Sequence, residues 1–303
     1  MRFQSAMTVS ALLGRALAAQ DSSEKYAALP GYFQLYPQEG AGDVTAPPAA
    51  DPARFVHAQS WEELFASVPS DAKLLILHRH AEGFHNAAER RYGKEAWDDY
   101  WSKLDGDEHG IWADAQLTPK GQQQASAASE QVGALVRALG VPERLYSSPL
   151  RRCLETFIEA WAPVAQHISE PAIDLHVREG LRETLGVHTC DRRVPHSQAV
   201  AVYQGHRLAN STLQLHYEAY YPEPDMLWSP THRETTEEIH DRVTKALDRI
   251  LDRPERYIFV TAHSEMMVAA LHALHHPKVH HVPNAGFLYL VVGHIQTPTQ
   301  ASV

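Results

Sequence analysis

The feature that most limits how this chain can fold is an apolar run cut off by charge. Leu74-Leu75-Ile76-Leu77 leads directly into His78-Arg79-His80. A continuous apolar run, rather than an alternating one, suits a strand buried on both faces, as in a parallel sheet covered by helices. In such open sheets ligands bind at the C-terminal ends of the strands. An imidazole placed there beside a guanidinium suits attack on a phosphoryl group: a ring nitrogen attacks and the arginine holds the phosphate oxygens. The same pair also suits a plain strand end with His80 as a structural hydrogen-bonder, so by itself it decides nothing.

The pattern recurs along the chain. Further strands are expected at 144–148, near 174–177, at 257–262 and at 286–292. Between them lie helix signals. Ser60 caps a short helix, with Glu63 placed to complete a capping box. Thr118 as N-cap and Pro119 at the first helical position open a helix that runs to Leu139 and stops at Gly140. Another helix starts at Pro149, Thr235–Leu251 is amphipathic, and Met266–Leu274 is apolar. Strands alternating with helices make the class α/β, a three-layer α/β/α arrangement with a mostly parallel central sheet. Residues 20–53 read as loop, and 87–116, with Trp97, Tyr100, Trp101 and Trp112, as an insertion lying over the site. No element is assigned to 186–232. The division expected is 1–19, a candidate signal peptide or unstructured tail, then an N-terminal extension at 20–72, then one domain at 73–296.

Composition narrows the function. The chain has 303 residues and a formal net charge of -10, which argues against a nucleic-acid partner, since that needs a basic face. A local arginine cluster can still hold an anionic substrate. Its two cysteines, Cys153 and Cys190, match no zinc spacing and make no disulfide framework. Arg2, the apolar stretch from Phe3 and Ala16-Leu17-Ala18-Ala19 fit a secretory signal, a transit peptide or a tail; the protein is secreted if 1–19 is a signal and cytoplasmic otherwise. Asn210-Ser211-Thr212 is a glycosylation tripeptide of a kind common by chance. After that leader no stretch is long and apolar enough to span a membrane.

Three expected strands end in imidazole or guanidinium: at Arg79-His80, at Ser148 leading to Arg152, and at His263. If they run parallel, these ends meet. Four motifs in order then resemble the histidine phosphatase superfamily, in its phosphoglycerate mutase-like branch. Arg79-His80-Ala81-Glu82 with Asn86 resembles the R-H-G-E/Q-x-x-x-N pattern. Leu117-Thr118-Pro119-Lys120-Gly121 is similar to its L-T-x-x-G helix start. Ser147-Ser148-Pro149-Leu150-Arg151-Arg152 through Thr156 is similar to S-S-P-L-x-R-A-x-x-T, and Val260-Thr261-Ala262-His263 to the strand ending in the second histidine. Leu181-Arg182-Glu183 through Arg193, with Leu29-Pro30-Gly31-Tyr32-Phe33, looks most like fungal phosphomutase-like members.

The resemblance implies roles. His80 would be the nucleophile forming a phosphohistidine. Arg79, Arg152, Asn86 and His263 would bind the phosphoryl group. Glu183 would be the general acid and then the base, with Asp191 and Glu179 as rivals. Neither a metal nor any other cofactor is implied. The partner is a small phosphorylated substrate, and no oligomeric state is indicated. Ala81 stands where the family has glycine, so a backbone without positive φ is expected there. Cys153 replaces an alanine and should be buried. Arg151 is expected to point to solvent. Glu82 and His85 flank the pocket, with capping or surface roles equally open. His272, His275, His276, His280 and His281 invite a metal reading, for which a solvated helix end is the plainer account.

The function expected is metal-independent hydrolysis of small organic phosphate monoesters. The alternatives are a phosphoglycerate-type phosphomutase, an inactive binding module on the same fold, and metal-dependent hydrolysis through the histidine cluster.

Overall fold

The computed structural model of the protein describes residues 25–34, 53–277, 279 and 282–295. The expected leader at 1–19 and His280 and His281 lie outside them. An eight-stranded sheet forms the centre. Its strands are β1 (Tyr26–Ala28), β2 (Lys73–Arg79), β5 (Arg144–Ser147), β6 (Ala172–Val177), β7 (Arg207–Leu208), β8 (Ser211–His216), β9 (Tyr257–Ala262) and β10 (Phe287–His294). Their spatial order is β1-β10-β2-β9-β5-β6-β8-β7. Four of the seven pairings, those joining β2, β9, β5, β6 and β8, are parallel, so the sheet is mostly parallel as expected. β10, β1 and β7 pair antiparallel at the two edges. A separate two-stranded ribbon joins β3 (Gly106–Asp107) and β4 (Gly110–Ile111).

The apolar run of β2 is buried along its whole length because its two faces serve two cores. Leu74 and Ile76 join one cluster, with Leu145, Leu175 and Phe259. Leu75 and Leu77 point the other way and join Ile258 and Val260. The period of two along each strand sends successive side chains to opposite layers. The first layer is covered by α1 (Trp61–Ser67), α4 (Pro119–Ala127), α5 (Ser129–Leu139) and α6 (Arg151–Ala165), the second by α8 (Thr236–Leu251) and α9 (Ser264–Ala273). α2 (Phe84–Tyr92), α3 (Lys94–Asp99) and the β3–β4 ribbon form a small layer with its own cluster of Ala88, Trp97, Trp112, Ala115 and Cys190.

Four sequence expectations change. Residues 26–28 are not loop: they form edge strand β1, which borrows its hydrogen bonds from β10. The helix expected from 119 to 139 is two helices with a jog at Ala128. Residues 186–232, left without an element, contain α7 (His196–Tyr203), β7 and β8. The capping box at Ser60 is partial. Its hydroxyl accepts from the Glu63 N–H, while the Glu63 carboxylate accepts from Gln59 N–H (2.7 Å) rather than from the cap residue. A complete box stands instead at Thr235 and Glu238.

One glycine sets how the loop after β2 is held. α4 starts against that loop, and Thr118 N–H donates to Glu82 O at 3.0 Å. A Cβ built on Gly121 would stand 2.0 Å from Glu82 O, so the helix approaches the backbone closer than any side chain allows. Gly121→Ala is expected to lower unfolding stability in urea by about 1–3 kcal/mol, the ordinary range for overpacking, with an unchanged m-value.

Candidate active site

Parallel register brings the strand ends level. Arg79 is the register partner of Ala262, and Ser147 of Thr261, so His80, Ser148 and His263 leave three adjacent strands at one edge. The backbone at His80 is held on both sides. Its N–H donates to Ala262 O (2.9 Å), and its carbonyl accepts from Ala285 N–H (3.1 Å) and Asn284 Nδ2 (3.2 Å). Ala81 N–H donates to Thr156 Oγ1 at 2.9 Å, and Ala81 is absent from the positive-φ residues, as its side chain requires.

The His80 ring is fixed as well as its backbone. Nδ1 lies 2.7 Å from Ala81 O. A carbonyl only accepts, so Nδ1 carries the proton, and in the neutral ring Nε2 carries the lone pair. Burial, then Arg152 and Arg79, hold the His80 pKa well below 6.5, so the ring is neutral at ordinary pH. His263 lies edge-on to it with ring centroids 5.1 Å apart. The His263 Nε2 is 2.7 Å from Ser148 Oγ and 3.4 Å from Cys153 Sγ. Cys153 is fully buried, as expected, and burial pushes its thiol pKa up.

The two arginines are tied by one edge each. Arg79 Nη1 donates to Val282 O (2.6 Å), and the fully buried Arg152 donates to Cys190 O (2.6 Å) and Asp191 Oδ1 (2.9 Å). Arg79 Nε, Arg152 Nε and His85 Nδ1 are buried with no hydrogen-bond partner among the described residues. Leaving such groups unpaired costs about 1–3 kcal/mol each, and Arg79 and His85 line the cavity described next, where a ligand can satisfy them. Asn86 Oδ1 accepts from Gly83 N–H at 3.1 Å, and the residue also lines the cavity beside His80.

That cavity, of about 580 Å³, separates the rival acids. Glu183 lines it, its Oε1 accepting from Thr184 N–H (3.0 Å) and its Oε2 from Ser264 Oγ (3.3 Å). Burial, then the charges of Asp191 and Glu265, raise its pKa above 4.5 and favour the protonated form. Asp191 also borders the cavity, but both its oxygens are occupied: Oδ1 by Arg152 and Oδ2 by Arg233 Nη1 at 2.8 Å. Burial alone would raise its pKa; Arg233 and Arg152 outweigh it and keep Asp191 ionised. Glu179 lies elsewhere, bound to Arg182 (2.9 Å) and Arg193 (2.7 Å).

Other flanking residues sort in the same way. Glu82 turns away from the cavity and accepts from Arg90 (2.5 Å) and Thr118 (2.9 Å), a structural role. His85 does line it, its ring centroid 5.4 Å from that of His80. Arg151 does not reach for solvent: its Nε donates to Asp114 O (2.8 Å) and its N–H to Asp114 Oδ1 (2.9 Å), fastening the start of α6. Arg233 and His188 also reach the cavity, as do Lys94 and Trp97 from α3. Nothing in the sequence marked Arg233, which lacks a motif neighbour, and His188 lies inside the 181–193 segment without being singled out. His85 sits inside the first motif and was only a candidate.

Two clusters bear on metals. Donor atoms of His188, Cys190 and Asp191 lie within 4.8 Å of one another. Arg152 and Arg233 occupy the carboxylate there, and two guanidinium charges disfavour a cation. In the other, His272 stacks on His240 with centroids 4.0 Å apart, and His276 Nδ1 donates to Pro277 O (2.7 Å), so the described members turn to different partners.

The comparisons follow this geometry. The model of the histidine phosphatase superfamily (branch 1) matches residues 75–296. The chain belongs to this family. It is 42% identical over 280 residues to a probable phosphoglycerate mutase of Saccharomyces cerevisiae, covering 88% of this chain and 95% of that one. It is 40% identical over 205 residues to a probable phosphoglycerate mutase of Arthroderma benhamiae, covering 67% of this chain and 58% of the relative. Among solved structures it is similar in fold to an ecdysone phosphate phosphatase of Bombix mori, with a TM-score of 0.44, 18% identity and coverage of 76% and 95%.

The two candidate acids can be told apart by stability. Asp191→Asn leaves Arg152 buried without its counter-charge and is expected to cost about 3–5 kcal/mol in urea unfolding. Glu183→Gln replaces a group that favours its neutral form and should leave the urea midpoint unchanged.

Proposed function

We propose that the protein is a phosphatase that hydrolyses small organic phosphate monoesters through a phosphohistidine on His80, without a metal. The observation that carries the reading is an imidazole whose Nδ1 is tied to Ala81 O, which leaves Nε2 free for attack, in the same site as two buried arginines with unpaired Nε–H groups. In the first step Nε2 bonds to phosphorus and the ester P–O bond breaks, its electron pair leaving on the alcohol oxygen. Glu183 gives that oxygen its proton. In the second step water attacks phosphorus, Glu183 takes the water proton, and the P–N bond breaks to restore His80 and release phosphate. Arg79 and Arg152 neutralise the equatorial oxygens, and His263 and Asn86 supply neutral contacts, so stabilisation comes from positioning and charge.

A second reading has its own support. The relatives named above are called probable phosphoglycerate mutases. A mutase would return the phosphoryl group from His80 to a second hydroxyl of the same substrate. The open cavity beside His80, lined by ionised and ionisable groups, favours water as the acceptor. Product analysis with 3-phosphoglycerate separates the two: a phosphatase releases inorganic phosphate, whereas a mutase yields 2-phosphoglycerate.

His80→Ala is expected to abolish turnover of p-nitrophenyl phosphate and the acid-labile phosphoenzyme trapped in rapid quench; retained turnover would refute the nucleophile. Glu183→Gln should cost roughly 10²–10⁴-fold in kcat on an alkyl phosphate and less on a p-nitrophenyl leaving group. Excess EDTA should leave turnover unchanged.

The pH profile follows from the two shifts. His80 acts only when deprotonated, and its lowered pKa puts the acid limb of kcat/KM well below pH 6.5. Glu183 acts only when protonated, and its raised pKa puts the alkaline limb above pH 4.5. The optimum should fall between these two limbs, with the alkaline limb absent in Glu183→Gln.

A further inference from the structure

A second cavity, of about 540 Å³, opens between α8 and the ends of β5 and β6, and Glu183 and His80 do not line it. Five cationic side chains line it: Arg178, Arg242, Lys245, Arg249 and Arg253. Two of them are committed. Lys245 pairs with Asp241 (2.6 Å), and Arg242 pairs with Glu234 (2.6 Å) while holding the carbonyls of Gly180, Arg182 and Glu183.

The other three lack a full counter-charge. Arg178 donates only to carbonyls, of Val177 (2.8 Å) and His216 (3.0 Å), and to a ring nitrogen of His176, with no carboxylate in ion-pair range among the described residues. Its guanidinium lies 5.6 Å from the centroid of the Tyr146 ring. Arg249 has no hydrogen-bond or ion-pair partner among the described residues. Arg253 reaches Glu255 Oε1 only at 3.3 Å, and Arg144 shares that same oxygen. On the other side of the balance, Glu179 is bound to Arg182 and Arg193, which leaves Glu218 as the unpaired carboxylate of the wall.

A chain of net charge -10 has carboxylates to spare, yet at this cavity Arg178 and Arg249 have no ion-pair partner among the described residues and Arg253 only shares one with Arg144. Tyr146, Leu227 and Ile250 add apolar wall, and the volume falls in the range of small-molecule sites, with more room than a lone phosphate needs. Arginine forks match phosphate oxygens, a carboxylate beside them accepts from hydroxyls, and an apolar wall covers a carbon skeleton. We propose that this cavity is a second binding site, separate from the one at His80, for an organic phosphate whose phosphoryl group sits on Arg178, Arg249 and Arg253.

Calorimetric titration of the full chain with phenylphosphonate, which cannot be hydrolysed, and separately with inorganic phosphate tests this at low salt. Arg249→Glu is expected to weaken one phenylphosphonate binding event at least tenfold, and Arg249→Gln about threefold, with p-nitrophenyl phosphate turnover unchanged. Arg249 is exposed, and an unchanged thermal midpoint shows that the variants fold. If no binding event responds to Arg249→Glu, the site is refuted. If the responding event takes inorganic phosphate as tightly as phenylphosphonate, the organic ligand is refuted. Because the event is defined by its loss in Arg249→Glu, failure of the His80 reading would leave this result standing.

Discussion

The buried guanidinium of Arg152 stands beside the imidazoles of His80 and His263, and the carboxylate that holds it there is Asp191. It takes Arg152 on one oxygen and Arg233 on the other, with almost no exposure to solvent. One carboxylate against two arginines leaves a surplus of positive charge next to His80. Burial first, and then this surplus, lower the pKa values of His80, His85 and His263 and favour their neutral forms, because an added proton would lose its water and meet the charge of Arg152. The positive charge of the site therefore sits on its arginines rather than on its histidines, the distribution that the proposed attack by His80 on phosphorus requires.

The same pair of residues separates the two nearby acids. Asp191 lies between the arginines and stays ionised; Glu183, on the same cavity, is buried, faces Asp191 and Glu265 as like charges, and holds its proton more tightly. Two carboxyl groups of similar intrinsic acidity are pushed apart by what surrounds them. Position in the sequence cannot show this, which is why both Glu183 and Asp191 stood as candidates until their partners were visible.

Sheet and site depend on each other in turn. The parallel register of β2, β9 and β5 sets His80, His263 and Ser148 at one edge, and the surrounding backbone groups fix the orientation of His80. Adjacent layers contribute the remainder: α4 closes on the Glu82 backbone where only glycine fits, and α2 and α3 bring His85, Asn86 and Lys94 over the cavity. The expected insertion at 87–116 holds its position through Trp97 and Trp112, which pack its own small core.

The amino-acid sequence alone determined the class of fold and the strand ends and helix starts that carry the motifs, while Arg79, His80, Asn86, Arg152, Glu183 and His263 entered as candidates through the family resemblance of those motifs. The elements were legible because burial on both faces demands unbroken apolar runs, and because capping and turn chemistry are local. Tertiary structure decided the rest. β1 and β8 exist through pairing with β10 and β6, and a three-residue strand carries no periodicity that would announce it. Arg151 turned inward because Asp114, from a distant loop, offers it acceptors. Arg233, His188 and the arginines of the second cavity come together only when α8 and the 186–232 region fold onto the sheet. Charge acts through space, and the distances that set its effect appear only once the chain is folded.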